Sequence, residues 1–109
     1  MADKHEELVS KFRDQLRKKK YLISKKSPLV DYRPDIYAKK NKEEIFAEIE
    51  IDQSIYNDHT LGQLSIMYNY VKKNKNYKGF LVIPKEAKKQ ALFLISSIFD
   101  DDRIKVVAL

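Results

Sequence analysis

Between Arg33 and Ser54 the chain reads RPDIYAKKNKEEIFAEIEIDQS, and this stretch narrows the folds open to it more than any other. Side chains alternate across a strand, so Ile45, Ala47, Ile49 and Ile51 share one face while Phe46, Glu48, Glu50 and Asp52 share the other. The preceding run, Val30–Ala38, divides the same way, with Tyr32, Ile36 and Ala38 opposed to Arg33, Asp35 and Tyr37. Asn41–Lys42 suits a two-residue hairpin turn, because Asn tolerates the left-handed conformation such turns need. The turn predicts that 38 faces 45, 36 faces 47 and Tyr37 meets Phe46, with Asp35 directly across from Glu48. A slip of one residue would set Asp35 against Ala47 and spoil every apolar pairing.

The hydrophobic period then changes along the chain. Leu8, Val9, Phe12 and Leu16 recur at helical spacing and predict an amphipathic helix over about Lys4–Lys19. Tyr21–Ser24 reads as a short strand. Leu61, Leu64, Met67, Tyr68 and Val71 predict a second helix over about Thr60–Lys73, opened by a Thr60/Gln63 capping box. Gly79–Pro84 (GFLVIP) is continuously apolar, as in a strand covered on both faces. Ala87, Ala91, Leu94, Ile95 and Ile98 predict a third helix, and Arg103–Leu109 a last strand. The resulting order, αβββαβαβ, implies an α/β fold with a mixed β-sheet flanked by helices on both faces. At 109 residues, without a Pro/Gly-rich linker, residues 1–109 are expected to form a single domain.

No apolar run approaches the ~20 residues of a membrane helix, so a soluble, cytoplasmic protein with no membrane partner is expected. The absence of Cys removes thiolate metal sites, and two His give little support for zinc. The formal net charge is +6, and thirteen of the 22 Lys and Arg precede Ile45. Lys18, Lys19, Lys20, Lys25, Lys26 and Arg33 are the candidate nucleic-acid contacts; a second basic group spans Lys72–Lys78. The competing reading is that these lysines only solvate helix ends and turns.

Acids inside the hairpin are harder to explain. In the expected register the Asp35 and Glu48 Cβ atoms lie roughly 5 Å apart. Glu50 follows about 7 Å along the same face. Like charges this close repel unless protons or a cation neutralise them. A hard divalent ion does so with one or two carboxylates and several waters. The alternative is an exposed acidic face paired with nearby Lys or Arg33, an arrangement that contributes little. Ser10, Ser27 and Ser54 have no His/Asp partner pattern, and two glycines cannot build a phosphate-cradling loop.

At Pro34–Asp35 and Glu48–Ile49–Glu50, about a dozen residues apart, the chain resembles the PD-(D/E)xK nuclease superfamily, whose motif strands also follow a helix within a meander. The resemblance covers about Lys4 to Pro84. It implies a restriction-endonuclease-like fold and Mg²⁺- or Mn²⁺-dependent hydrolysis of DNA, with Asp35, Glu48 and Glu50 as catalytic residues. Asp35, Glu48 and the Ile49 carbonyl would be metal ligands, and Glu7 (or Glu6), Gln53 and Gln63 possible accessory groups. His59, at the start of the second helix, is a lesser candidate. The chain departs from the motif at Glu50, which stands where the family usually has Lys. That departure leaves a second reading open, a catalytically inactive nuclease-fold module that binds DNA or a partner protein. So small a domain also suggests a homodimer, in which two sites address two DNA strands.

Overall fold

A computed structural model describes residues 3–24, 27–28, 33–51, 57–99 and 102–109. The elements are α1 (Lys4–Lys18), β1 (Leu22–Ser24), β2 (Ile36–Lys40), β3 (Glu43–Ile49), α2 (Asp58–Val71), β4 (Tyr77–Ile83), α3 (Lys88–Ile98) and β5 (Ile104–Ala108). A 3-10 turn, Lys85–Ala87, leads into α3. The five strands form one mixed sheet in the order β1-β2-β3-β4-β5. β1, β2 and β3 pair antiparallel, while β3–β4 and β4–β5 pair parallel.

The hairpin register is the one that apolar matching demands: Ala38 faces Ile45, Ile36 faces Ala47 and Tyr37 faces Phe46. The strand bounds nevertheless differ from those the alternation suggests: β2 begins only at Ile36 and runs on to Lys40, and β3 lies two residues earlier, at Glu43–Ile49. Arg33, Pro34 and Asp35 precede β2, consistent with the missing donor of Pro34, and Glu50 lies just past β3. Residues 30–32 lie outside the described residues. Asn41 takes the turn with φ 57°.

Each face of the sheet has its own core. Phe46, Leu81 and Ile83 pack under Leu64, Met67 and Val71 of α2 and Ala91, Leu94 and Ile95 of α3. Ile36, Ala38, Ile45, Ala47, Ile49 and Val82 pack under Leu8, Phe12 and Leu16 of α1. Both faces of β3 and β4 are thus covered, which explains the unbroken apolar run at Phe80–Ile83. Gly79 lets α2 approach closely: a Cβ there would meet Met67 Sδ at 3.0 Å and Ile104 Cγ1 at 3.2 Å.

Helix ends are closed locally. Asp3 caps α1, its carboxylate accepting the Glu6 amide at 2.8 Å. Asn57, not Thr60, caps α2, accepting the His59 amide at 2.7 Å. The expected capping box is therefore displaced: Thr60 lies within the first turn and is buried. At the other end of α1 the Tyr21 amide donates to Leu16 O at 2.9 Å and the Lys20 amide to Arg17 O at 2.9 Å. This is a Schellman closure with Lys20 in the left-handed position, φ 72°, where glycine is favoured. Replacing Lys20 by glycine relieves that conformation, so Lys20→Gly is expected to stabilise the fold by about 1 kcal/mol in urea-unfolding measurements.

Candidate functional site

Strand pairing gives the sheet two unlike ends. The β2–β3 turn, the C-termini of α1 and α2 and the starts of β4 and β5 lie at one, the hairpin end. Asp35, the end of β3 and the start of α1 lie at the other, where the parallel strands terminate. Ligands of open α/β sheets bind at the carboxyl ends of such strands.

The three hairpin acids meet at this second end. Glu48 pairs with Leu81 across the β3–β4 ladder, so its side chain enters the face covered by α2. It is 3 % exposed, and Glu50, two residues on, is 8 % exposed. The Glu50 amide is held by Val82 O at 3.0 Å. Asp35 lies one residue beyond the β2–β3 ladder, and its Oδ2 accepts the Ile49 amide at 2.9 Å. A side chain thereby satisfies a backbone donor that the end of the ladder would otherwise leave open.

Burial, reinforced by the charges of Asp35 and Glu50 and hydrogen bonds with them, pushes the Glu48 carboxyl up to about 10. Its Oε2 is buried without a hydrogen-bond partner. An orphaned carboxylate oxygen beside two further acids suits a hard cation, which would supply the missing charge and ligand. Among the described residues no three His, Asp or Glu side chains are already disposed to enclose a metal ion. Asp35 Oδ2 is turned to the Ile49 amide, so these acids would hold a cation only after their side chains re-aim.

The other residues singled out by sequence are dispersed. Ile49 offers Asp35 its amide while its side chain packs under α1. Glu7 is exposed on α1, and Gln63 is half-buried on α2. Gln53, Lys25 and Lys26 lie outside the described residues. His59 is exposed in the first turn of α2. Lys18, Lys19 and Lys20 are exposed at the hairpin end, about 22 Å from the start of α1 by the rise of a 15-residue helix. Arg33 lines a cleft of about 430 Å³ with Arg13, Arg17 and Asp35.

Of the two acids expected from α1, Glu6 lines a cleft with His5, Arg13 and Asp35, and the helix adds His5 itself, whose Nε2 lies 3.4 Å from Asp35 Oδ2. The signal was present: His5 continues the stripe of Leu8, Phe12 and Leu16, which faces the sheet. Arg13 joins the cleft through tertiary packing and carried no comparable signal. No family model matches the chain, and no curated protein or solved structure matches it.

The Glu48 environment sets a pH dependence. The carboxyl ionises near 4.5 when solvated and near 10 when folded, so between these values the folded chain holds a proton that the unfolded chain releases. The associated stability is fully present below about pH 4.5 and is lost as pH rises toward 10. In metal-free buffer the melting temperature should fall from pH 5 to pH 9. Glu48→Gln should flatten this dependence and stabilise the protein at pH 8 by about 1–3 kcal/mol, measured by thermal and urea unfolding.

Proposed function

We propose that the chain is a metal-dependent nuclease that hydrolyses DNA phosphodiester bonds with Asp35, Glu48 and Glu50. The observation that carries this reading is the buried Glu48 against Asp35 and Glu50, with one oxygen unpartnered. Stability alone gives no reason to bury an acid beside two others. The reaction class comes from the motif resemblance at Pro34–Asp35 and Glu48–Ile49–Glu50.

Asp35 and Glu48 would hold Mg²⁺ or Mn²⁺ between the ends of β2 and β3. The bound ion would contribute charge at the scissile phosphate and a more acidic water. Glu50, two residues along the same face, is the group to accept the proton of the attacking water, the task Lys serves elsewhere in the superfamily. Arg13 and Arg33, in the cleft beside Asp35, would hold the phosphate. His5 would orient Asp35. A homodimer would present two such sites to a duplex.

One observation favours the second reading. Asp35 already serves the Ile49 amide, so a purely structural role for it is complete without a metal. A catalytically inactive module would retain the fold and bind DNA or a partner protein without cutting.

Supercoiled plasmid and labelled oligonucleotides distinguish the two. Cleavage should require Mg²⁺ or Mn²⁺ and stop in EDTA. Asp35→Asn and Glu48→Gln should each lower it at least about a hundredfold while leaving a folded protein. Cleavage that survives both substitutions, or none with any divalent ion, removes the hydrolytic reading.

A further inference from the structure

The excess positive charge is concentrated away from the acids. Three turns converge at the hairpin end: α1 to β1 presents Lys18, Lys19 and Lys20, and the β2–β3 turn presents Lys42, all exposed. The α2–β4 turn adds Lys72, Lys73 and Lys75, also exposed. Glu43 and Glu44 at this end are engaged, while Asp102, exposed just before β5, lines a cleft with Lys75 and Lys78. Glu43 accepts the Tyr21 hydroxyl and pairs with Lys78 at 3.4 Å, and Glu44 accepts the Tyr37 hydroxyl at 2.6 Å. Asp14, in the last turns of α1, pairs with Arg17 at 3.4 Å and leaves the three lysines that follow uncompensated by it.

We propose that this hairpin end binds the phosphate backbone of double-stranded nucleic acid, as a surface separate from the carboxylate end. The lysines spread across β1 to β4, about 15 Å at the usual strand spacing. A duplex presents roughly nine phosphate charges over that length. Two of the side chains are held in place: Lys72 Nζ lies 5.4 Å from the Tyr68 ring centroid, Lys73 Nζ lies 6.0 Å from that of Tyr70, and Tyr70 stacks on Tyr77 at 5.2 Å. Cations braced on aromatic rings lose less freedom on binding. Lys20 stands at the tip of α1 in a backbone conformation that favours glycine, a local cost consistent with use of the side chain.

A membrane surface fits less well. Among the described residues, the exposed large apolar side chains at this end, Leu22 and Ile98, belong to β1 and α3, at opposite edges of the sheet, and form no continuous inserting face. The surface is also too far from Asp35 to grip the same phosphate, so binding here does not depend on hydrolysis at the carboxylate end.

The test is anisotropy of a fluorescein-labelled 20-base-pair DNA duplex titrated with the full chain in EDTA, where cleavage plays no part. Lys42→Gln/Lys72→Gln/Lys75→Gln should weaken binding at least about tenfold at 0.1 M salt and reduce the salt slope by about 3. The charge-matched variant Lys85→Gln/Lys88→Gln/Lys89→Gln, at the other end, should bind as the parent does. Lys20→Gly, a more stable fold, should still bind more weakly. The proposal is overturned if the duplex does not bind, if both triple variants lose affinity equally, or if vesicles containing phosphatidylserine bind in preference to DNA.

Discussion

Strand β3 organises the molecule because it is hydrogen-bonded on both sides, antiparallel to β2 and parallel to β4. Its alternation sends Ile45, Ala47 and Ile49 under α1 and Phe46 under α2. Phe46 is fully buried and packs edge-on against Tyr70 and Tyr77, with Tyr37 tilted beside it. Burial of such a ring contributes about 2–3 kcal/mol, and a shift of register would lose it together with the apolar pairs on the other face. The same alternation that turns Phe46 toward α2 turns Glu48 to that face as well.

Opposite requirements meet on that strand. The core needs β3 covered on both faces, while a carboxylate needs water, a proton or a cation. Glu48 is therefore a local conflict within an otherwise consistent pattern, and such conflicts concentrate at functional sites. Arg103 shows the contrasting case of a half-buried charge taken up by the fold. Its guanidinium donates to Val71 O, to Asn74 O at 2.6 Å and to Tyr77 O at 3.4 Å, tying the α2–β4 turn to the start of β5.

The apolar periods of α1, α2 and α3 located those helices to within a few residues, since each packs one stripe on the sheet. Their starts were less legible. Asn57 and Thr60 are both good caps, and it is Asn57 that closes the start of α2. The start of β2 is similarly obscure: the alternation places Asp35 within a strand, yet its carboxylate replaces the next rung of the ladder.

Local pattern dictates the register of the β2–β3 hairpin, and hence that Asp35, Glu48 and Glu50 are neighbours, because alternation and a two-residue turn admit one apolar matching. Packing between elements chose which groups join them and which do not. His5 reaches Asp35 because α1 crosses the sheet with its first turn at that end, and the same crossing carries Lys18–Lys20 to the far end. Burial of Glu48 likewise required α2 overhead. Periodicity specifies which way a side chain points along its own element; proximity between elements depends on packing that no local pattern encodes.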